Sequence, residues 1–332
     1  MDASFHSLQR LLADRLGAAA APLDGAAPTL DLPAPAMDAP RLVPSAVIEK
    51  GGAHRAWRVD GDPEVGFGAF LDGTQRSRVV AYVDGAPIVA GTVAAVIRRR
   101  VNRRLSTWGR GPLVRRRLYA PRAFLGDVAW RAIAGSVDAA ELVDTTAPEA
   151  GDAPIAHPLA LAERAVHLVQ DDRERAELDL ARLWCRAERD PLFMDGGVSG
   201  VDVVPMPHCL VGVVKSHRTL HVDGDALRGV LALPRGFRSS VFRVTSSRRA
   251  PVASWYLRLR DPAGHDPMWG LVRVEAADHD LARETAEGLS GRADRVSRWI
   301  LAEAAPLALP DGRWDKMVYG IRDCEEFLRA VC

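Results

Sequence analysis

The sequence predicts an α/β fold in which a mixed sheet is flanked by helices, the sheet combining an antiparallel three-strand meander with further strands. Three observations support this fold class. Short runs rich in β-branched residues follow one another between residues 67 and 97, a long helical pattern covers residues 159–189, and strand-like runs resume after it. The expected order is therefore a meander, a helix and then more strands.

The composition of the 332-residue chain is that of an ordinary globular protein, with room for one large domain or two modest ones. The chain has 44 Lys and Arg against 43 Asp and Glu, so a nucleic-acid surface would have to come from local clustering of charge. Its 4 cysteines lie far apart, which argues against a zinc ribbon or a disulfide framework. Without a signal-peptide pattern or a membrane-spanning apolar run, we expect a cytoplasmic protein with no membrane contact.

Residues 1–50 are predicted to form an N-terminal helix and an extended segment. Apolar residues between positions 4 and 20 recur at helical spacing, and Ala21–Ser45 is rich in alanine and proline. The helix could pack on its own domain or bind another subunit. The remaining elements are assigned to one domain, residues 51–332.

The three strands of the meander are predicted at Phe67–Leu71, Arg78–Val83 and Pro87–Ile97. Asp84-Gly85 separates the second from the third, and this dipeptide is typical of a tight type I′ hairpin. The first strand is expected to end at Asp72.

An arginine-rich segment follows the meander and is expected as an insertion at about residues 98–126. Arg98–Arg122 holds ten arginines and no acidic residue, with aromatic residues interleaved. Arginine pairs well with phosphate and aromatic rings stack on bases, so the segment either contacts nucleic acid or forms a solvated or partner-docking face. The candidate nucleic-acid contacts are Arg98, Arg99, Arg100, Arg103, Arg104, Arg115, Arg116 and Arg117.

A long helix is predicted from Leu159 to Arg189, with a break near Asp171-Asp172 as one possibility. Pro191 ends it, and the strand Leu192–Met194 leads directly into Asp195. The later elements are four strands and two helices, at Leu210–Lys215, Val241–Thr245, Ser254–Arg260, Gly270–Glu275, Ala277–Glu303 and Asp323–Val331.

Two of the seven Asp-Gly pairs in the chain, Asp72-Gly73 and Asp195-Gly196, directly follow apolar runs. An isolated Asp-Gly pair usually marks a turn. At a strand end, however, a carboxylate can bind Mg²⁺ or Mn²⁺ while the glycine lets the chain turn away. The order of a meander with one acid, a helix with a glutamate and a strand with a second acid is the layout of an RNase H-like nuclease. Such sites hydrolyse phosphodiesters with two metal ions about 3.5 to 4 Å apart.

Four stretches carry a more specific resemblance, which covers the chain from about Gly66 onward. They are Phe70-Leu71-Asp72-Gly73-Thr74, Phe193-Met194-Asp195-Gly196-Gly197, Gly212-Val213-Val214-Lys215 and Leu271-Val272-Arg273-Val274-Glu275. Together they resemble the NurA nuclease family. The resemblance implies manganese ligands at Asp72, Asp195 and Glu177, with Glu174 as the alternative one helical turn away.

The chain departs from the family pattern in two places. Thr74 stands where serine is common, a change that keeps the hydroxyl group. No histidine follows His279, whereas the family site usually includes a histidine near the C-terminus. We expect Asp315, in preference to Asp311, to take that place, since a carboxylate also binds Mn²⁺ or Mg²⁺. The alternative is that Asp315 only caps a helix.

Other candidate residues carry weaker signals. The resemblance implies that Lys215 meets a phosphate or carries charge near the metals, although it could be an ordinary strand-end lysine. Glu275 is expected to form a structural ion pair with arginine. His208, His217 and His221 have no standard metal-ligand spacing and are expected to be structural or to contact phosphate.

The resemblance implies a Mn²⁺- or Mg²⁺-dependent deoxyribonuclease with two ions, active as a single-strand endonuclease and a 5′ to 3′ exonuclease. It also implies a homodimer that works with a HerA-like hexameric ATPase in DNA end processing or anti-phage defence. Two alternatives remain open: a catalytically degenerate subunit that regulates the ATPase, and an actin-like phosphotransferase, whose phosphate loops also carry Asp-Gly-Thr.

Overall fold

A computed structural model describes residues 2–20, 23, 30–32, 39–49, 51–135, 137–138, 141–146, 157–198, 210–246, 249–277, 285–304 and 318–331. Its helices are α1 (Asp2–Leu16), α2 (Arg122–Ala134), α3 (Pro158–Ala187), α4 (Gly224–Leu231), α5 (Ala286–Glu303) and α6 (Tyr319–Arg329). Its strands are β1 (Asp31–Leu32), β2 (Arg41–Leu42), β3 (Ala56–Arg58), β4 (Ala69–Val83), β5 (Ala86–Val101), β6 (Arg104–Thr107), β7 (Leu113–Ala120), β8 (Leu142–Asp144), β9 (Leu192–Asp195), β10 (Leu210–Val214), β11 (Thr219–Leu220), β12 (Phe237–Ser239), β13 (Phe242–Ser246), β14 (Arg249–Arg258) and β15 (Leu271–Ala277).

Within these described ranges, 13 strands form one mixed sheet flanked by helices, which confirms the predicted fold class. The main path of the sheet is β3-β12-β14-β15-β10-β9-β4-β5-β7-β8. Strand β9 runs parallel to both of its neighbours, β4 and β10, whereas β4, β5 and β7 are antiparallel. The strand that ends in Asp195 therefore lies beside the strand that contains Asp72.

Different helices cover the two faces of the central strands. Successive side chains of a strand point to opposite faces. Leu71 and Met194 share a core cluster with Trp184 of α3, whereas Phe70 and Phe193 share one with residues of α5 and α6. We call these the α3 face and the α6 face of the sheet.

The meander exists, but its predicted bounds are wrong. The first two predicted strands are parts of one strand, β4, which continues through Asp72 without a break and pairs with β5 along its length. The third strand of the meander is β7, from the arginine-rich segment. That segment, expected as an insertion, supplies the end of β5, all of β6 and β7, and the start of α2.

The structure confirms the predicted hairpin turn and corrects the expected course of two helices. Both residues of the Asp84-Gly85 turn have positive φ, 48° and 80°, as a type I′ hairpin requires. Helix α3 is continuous through Asp171-Asp172. Helix α5 begins at Ala286, not at Ala277, which closes β15. Among the described residues, no helix is long and apolar enough to cross a membrane.

The N-terminal helix packs on the sheet of its own chain. Leu12 and Leu16 of α1 are buried in a cluster with residues of β4, β5 and α2. Beyond it, β1 pairs with β4, and β2 pairs with β11.

Candidate metal centre

Asp72 lies inside β4, at the point where the neighbouring strand β9 stops pairing with it. The two parallel strands pair as far as Leu71 and Met194, and Asp72 and Asp195 are the next residue on each. Asp72 is only 8% exposed, and its Oδ1 accepts a hydrogen bond from the Gly73 N–H at 2.8 Å. The predicted strand end at Asp72 is therefore wrong, although the predicted neighbourhood of the two aspartates is present.

Asp195 does end a strand, as predicted. Gly196 follows it with φ 117°, a conformation that favours glycine, and its N–H donates to the Val213 carbonyl at 3.0 Å. Lys215, which follows the adjacent strand β10, places its Nζ 2.8 Å from Oδ2 of Asp195. The lysine thus brings positive charge to the second aspartate.

Glu325 of α6 completes a cluster of three carboxylates that the sequence did not predict. One carboxylate oxygen each from Asp72, Asp195 and Glu325 lie within 4.8 Å of one another. Asp315, the predicted C-terminal ligand, and its alternative Asp311 lie outside the described residues.

The sequence carries little signal that could have selected Glu325. Its neighbour Glu326 is also on α6, is exposed, and pairs with Arg322 at 2.9 Å. Glu325 itself lies 3.8 Å from Arg329, so both glutamates have an arginine four residues away. Only the docking of the helix decides which glutamate faces the aspartates.

Glu177 approaches the same strands from the α3 face. Its side chain is 3% exposed and forms an ion pair with Arg173, whose Nε also donates to Gln75 at 3.1 Å. A Cβ atom at position 73 would overlap the Glu177 carboxylate, so Gly73 makes room for it. Glu174, the alternative to Glu177, accepts a hydrogen bond from Gln170.

Burial and mutual repulsion raise the pKa values of two of these acids. Burial is the main cause of the raised pKa of Asp72, followed by repulsion from Asp195 and Glu177, while Lys215 and the Gly73 N–H oppose it. Burial likewise raises the pKa of Glu177 to about 7, against the opposing effect of Arg173. Charged carboxylates held together at low exposure are unfavourable without a cation nearby.

The donor set fits a hard divalent cation. The atoms available are carboxylate oxygens, which Mg²⁺ and Mn²⁺ prefer to nitrogen or sulfur. A cavity of about 420 Å³ opens beside Glu177 and Asp195, with Gly196, Gly197 and Arg173 in its wall. Its volume is sufficient for a small ligand next to the acids.

The predicted nucleic-acid arginines fall into two groups. Five of them form ion pairs within the protein: Arg98 with Asp323, Arg99 with Glu188, Arg100 with Glu303, Arg115 with Asp179 and Arg117 with Asp172. The other three, Arg103, Arg104 and Arg116, are exposed on β6, β7 and the turn before β6.

The remaining candidates have structural contacts. Glu275 pairs with Arg273, as predicted, and accepts a hydrogen bond from the Val198 N–H at 2.8 Å. His217 contacts the Leu271 carbonyl, and the buried His221 stacks on Phe242. His208 lies outside the described residues.

No protein-family model and no curated protein match the chain. Among solved structures, the chain is similar to the crystal structure of the NurA nuclease from Sulfolobus solfataricus. The match has 12% sequence identity and a TM-score of 0.41, and it covers 83% of this chain and 87% of that chain. That structure belongs to the family that the sequence motifs resemble, but identity and TM-score are low, so a functional assignment must rest on the carboxylate geometry.

Proposed function

We propose that this chain is a metal-dependent nuclease that hydrolyses phosphodiester bonds of DNA. The observation that carries the proposal is the convergence of Asp72, Asp195 and Glu325 within 4.8 Å. Glu177 lies at the opposite face of the same strands, so both sides of the strand pair offer carboxylates.

Each residue has a definable part in this chemistry. Asp72, Asp195 and Glu325 would hold one Mn²⁺ or Mg²⁺ ion, and Glu177 with Asp195 would contribute to a second. When bound, the ions would activate a water molecule and stabilise the departing oxygen. Lys215 compensates the charge of Asp195 and provides a cation that attracts a phosphate.

DNA as the substrate is supported by the exposed arginines Arg103, Arg104 and Arg116, which present guanidinium groups that can bind phosphate. The finer assignments rest on the sequence resemblance alone. They are single-strand endonuclease and 5′ to 3′ exonuclease activity, a cytoplasmic homodimer, and action with a HerA-like hexameric ATPase in DNA end processing or anti-phage defence.

A cleavage assay tests the proposal directly. Purified protein is incubated with labelled single- and double-stranded DNA in Mn²⁺, in Mg²⁺ and in EDTA, with and without an ATPase encoded nearby. We expect cleavage that needs the metal and is lost in Asp72→Ala and Asp195→Ala. Full activity in both variants would contradict the assignment. No Mn²⁺ binding by calorimetry, together with stable binding to the ATPase, would favour a regulatory subunit instead.

A further inference from the structure

Arg98 was expected to contact nucleic acid, but its side chain is engaged inside the protein. On β5 it pairs opposite Phe70 of β4, two residues before Asp72. Its Nη1 donates to Thr107 Oγ1 at 2.7 Å and its Nη2 donates to the Leu105 carbonyl at 3.2 Å, both on β6. Its Nε donates to Asp323 of α6. The guanidinium therefore joins the sheet to the helix that carries Glu325.

The contact with α6 involves one flank of the helix. Asp323 accepts the hydrogen bond from Arg98, and the ring of Phe327, one turn later, lies 4.8 Å from the guanidinium carbon. Residues four apart lie on the same side of a helix, whereas Glu325, two positions from each, lies on the other flank. Arg98 thus holds one side of α6 while the other side presents Glu325 to the aspartates.

Between these two flanks lies the side of α6 that faces the sheet. It packs directly on Phe70. A Cβ atom at Gly320 would overlap the Phe70 ring, and Cys324 Sγ lies 3.4 Å from the Phe70 carbonyl oxygen. These contacts set how closely the helix approaches β4. The buried side chains Ile321 and Leu328 exclude large rotations of the helix, and a contact on one flank can restrict the small ones.

We propose that Arg98 is a positioning residue for the metal centre: by binding Asp323 and Phe327 it sets the rotation of α6 and so places the Glu325 carboxylate beside Asp72 and Asp195. The proposal rests on the proposed function, because it assigns Arg98 a part in the same metal site. Ligand positions must be correct to about half an ångström, so a small rotation of the helix would weaken metal binding.

The first test compares Mn²⁺ affinity, measured by calorimetry on the full chain, in Arg98→Ala and Asp323→Asn. Each breaks the same contact from one side. We expect both to bind Mn²⁺ about 10- to 100-fold more weakly, the range seen when a supporting contact of a metal ligand is lost. Arg98→Lys keeps the charge without the planar fork and should recover part of the loss. The matched control is Arg322→Ala, which removes the Glu326 pair on the same helix and should leave Mn²⁺ affinity unchanged.

A double-mutant cycle separates positioning from general destabilisation. If Arg98 acts through Glu325, the double variant Arg98→Ala/Glu325→Gln binds Mn²⁺ as weakly as Glu325→Gln alone. Additive losses would overturn the proposal, as would a loss of DNA affinity in EDTA with unchanged Mn²⁺ affinity. A wild-type chain that binds no Mn²⁺ overturns the proposed function and the role of Arg98 together. Wild-type binding that Arg98→Ala retains in full overturns the role of Arg98 alone.

Discussion

The β4–β5 ribbon contains two Asp-Gly pairs with different structural roles. At its tip, Asp84-Gly85 forms the turn, both residues have positive φ, and a Cβ atom on Gly85 would meet nothing within 4 Å. Twelve residues earlier, Asp72-Gly73 lies in extended strand, and a Cβ atom on Gly73 would overlap Glu177. Gly85 is needed because the turn requires positive φ. Gly73 is needed because a side chain at that position would overlap Glu177. The dipeptide alone therefore does not identify a turn or a site.

The largest expected effect appears when aspartate is replaced by asparagine in each Asp-Gly pair separately and the two variants are compared. Asp72→Asn removes a negative charge from the carboxylate cluster that we propose binds the metal, and we expect the cleavage rate to fall by about 10³-fold or more. Asp84→Asn should leave the rate unchanged, because asparagine tolerates positive φ and Asp84 is exposed. Single-turnover rates in saturating Mn²⁺ measure both. Equal effects of the two substitutions would contradict the assignment of Asp72 to the site and of Asp84 to the turn.

The glycines of the two Asp-Gly pairs allow a second test of whether one pair serves the site and the other the turn. Gly73→Ala should displace Glu177 and lower the cleavage rate by about 10²-fold, since small displacements of catalytic groups have effects of this size. Gly85→Ala should lower the free energy of unfolding by about 1 to 2 kcal/mol through backbone strain while preserving the rate per folded molecule.

Urea unfolding and cleavage rates, measured on the same preparations, separate the two outcomes. Gly229→Ala in α4 is a third variant, because its added Cβ meets nothing within 4 Å. An alanine is favoured over glycine in a helix, so this variant should be at least as stable as wild type. A Gly73→Ala protein with normal Mn²⁺ affinity and rate would mean that Glu177 takes no part in the site.

Much of the fold and half of the site follow from local patterns. The long apolar stripe of α3 and the run leading into Asp195 extend over enough residues for their periodicity to be clear. The continuity of β4 does not follow, because glycine normally weakens a strand, and the pairing of β4 with β5 on both sides of Gly73 is visible only in the structure. Glu325 is missed for a related reason: the docking of α6 on the sheet selects it, and the residues in contact there, such as Gly320 and Phe70, are 250 positions apart.

The arginines of β5 also have contacts that could not be predicted from the sequence. Arg98, Arg99 and Arg100 form an unbroken basic run with no acid nearby in sequence. Their acidic partners lie at positions 323, 188 and 303, so the neutralisation of this run is visible only in the folded chain. Arg103 and Arg104, in contrast, occupy an exposed turn and strand start, so their proposed contact with DNA stays a prediction.

A smaller effect is expected from the two adjacent glutamates of α6. Glu325→Gln should weaken Mn²⁺ binding and lower the cleavage rate by about 10- to 100-fold, because it neutralises one of the three clustered carboxylates that we propose hold the ion. Glu326→Gln is the matched control and should change neither quantity by more than about twofold, because Glu326 is exposed and its pair with Arg322 contributes little. If Glu326→Gln had the larger effect, α6 would be rotated relative to the arrangement described above.

The smallest expected effect is a pH dependence of Mn²⁺ binding, which follows from the raised pKa of Asp72. Metal ligands must be deprotonated, and the pKa values of Asp72 and Glu177 are raised, the latter to about 7. Apparent Mn²⁺ affinity should therefore increase as pH rises from 6 to 8, by at most about tenfold per unit for each proton displaced. Calorimetry at three pH values measures this change, and Glu177→Gln should flatten it.

The metal-free protein should respond to pH in the opposite sense. Since the pKa of Glu177 is about 7 when folded and near 4.5 otherwise, the folded state binds this proton more tightly between those values. The contribution of Glu177 to the free energy of unfolding should thus be full below pH 4.5 and fall as pH rises through 7. Wild type in EDTA should lose stability relative to Glu177→Gln over this window, and saturating Mn²⁺ should restore it. A pH-independent difference between the two proteins would place the pKa of Glu177 near its ordinary value and remove the electrostatic case for a cation on the α3 face.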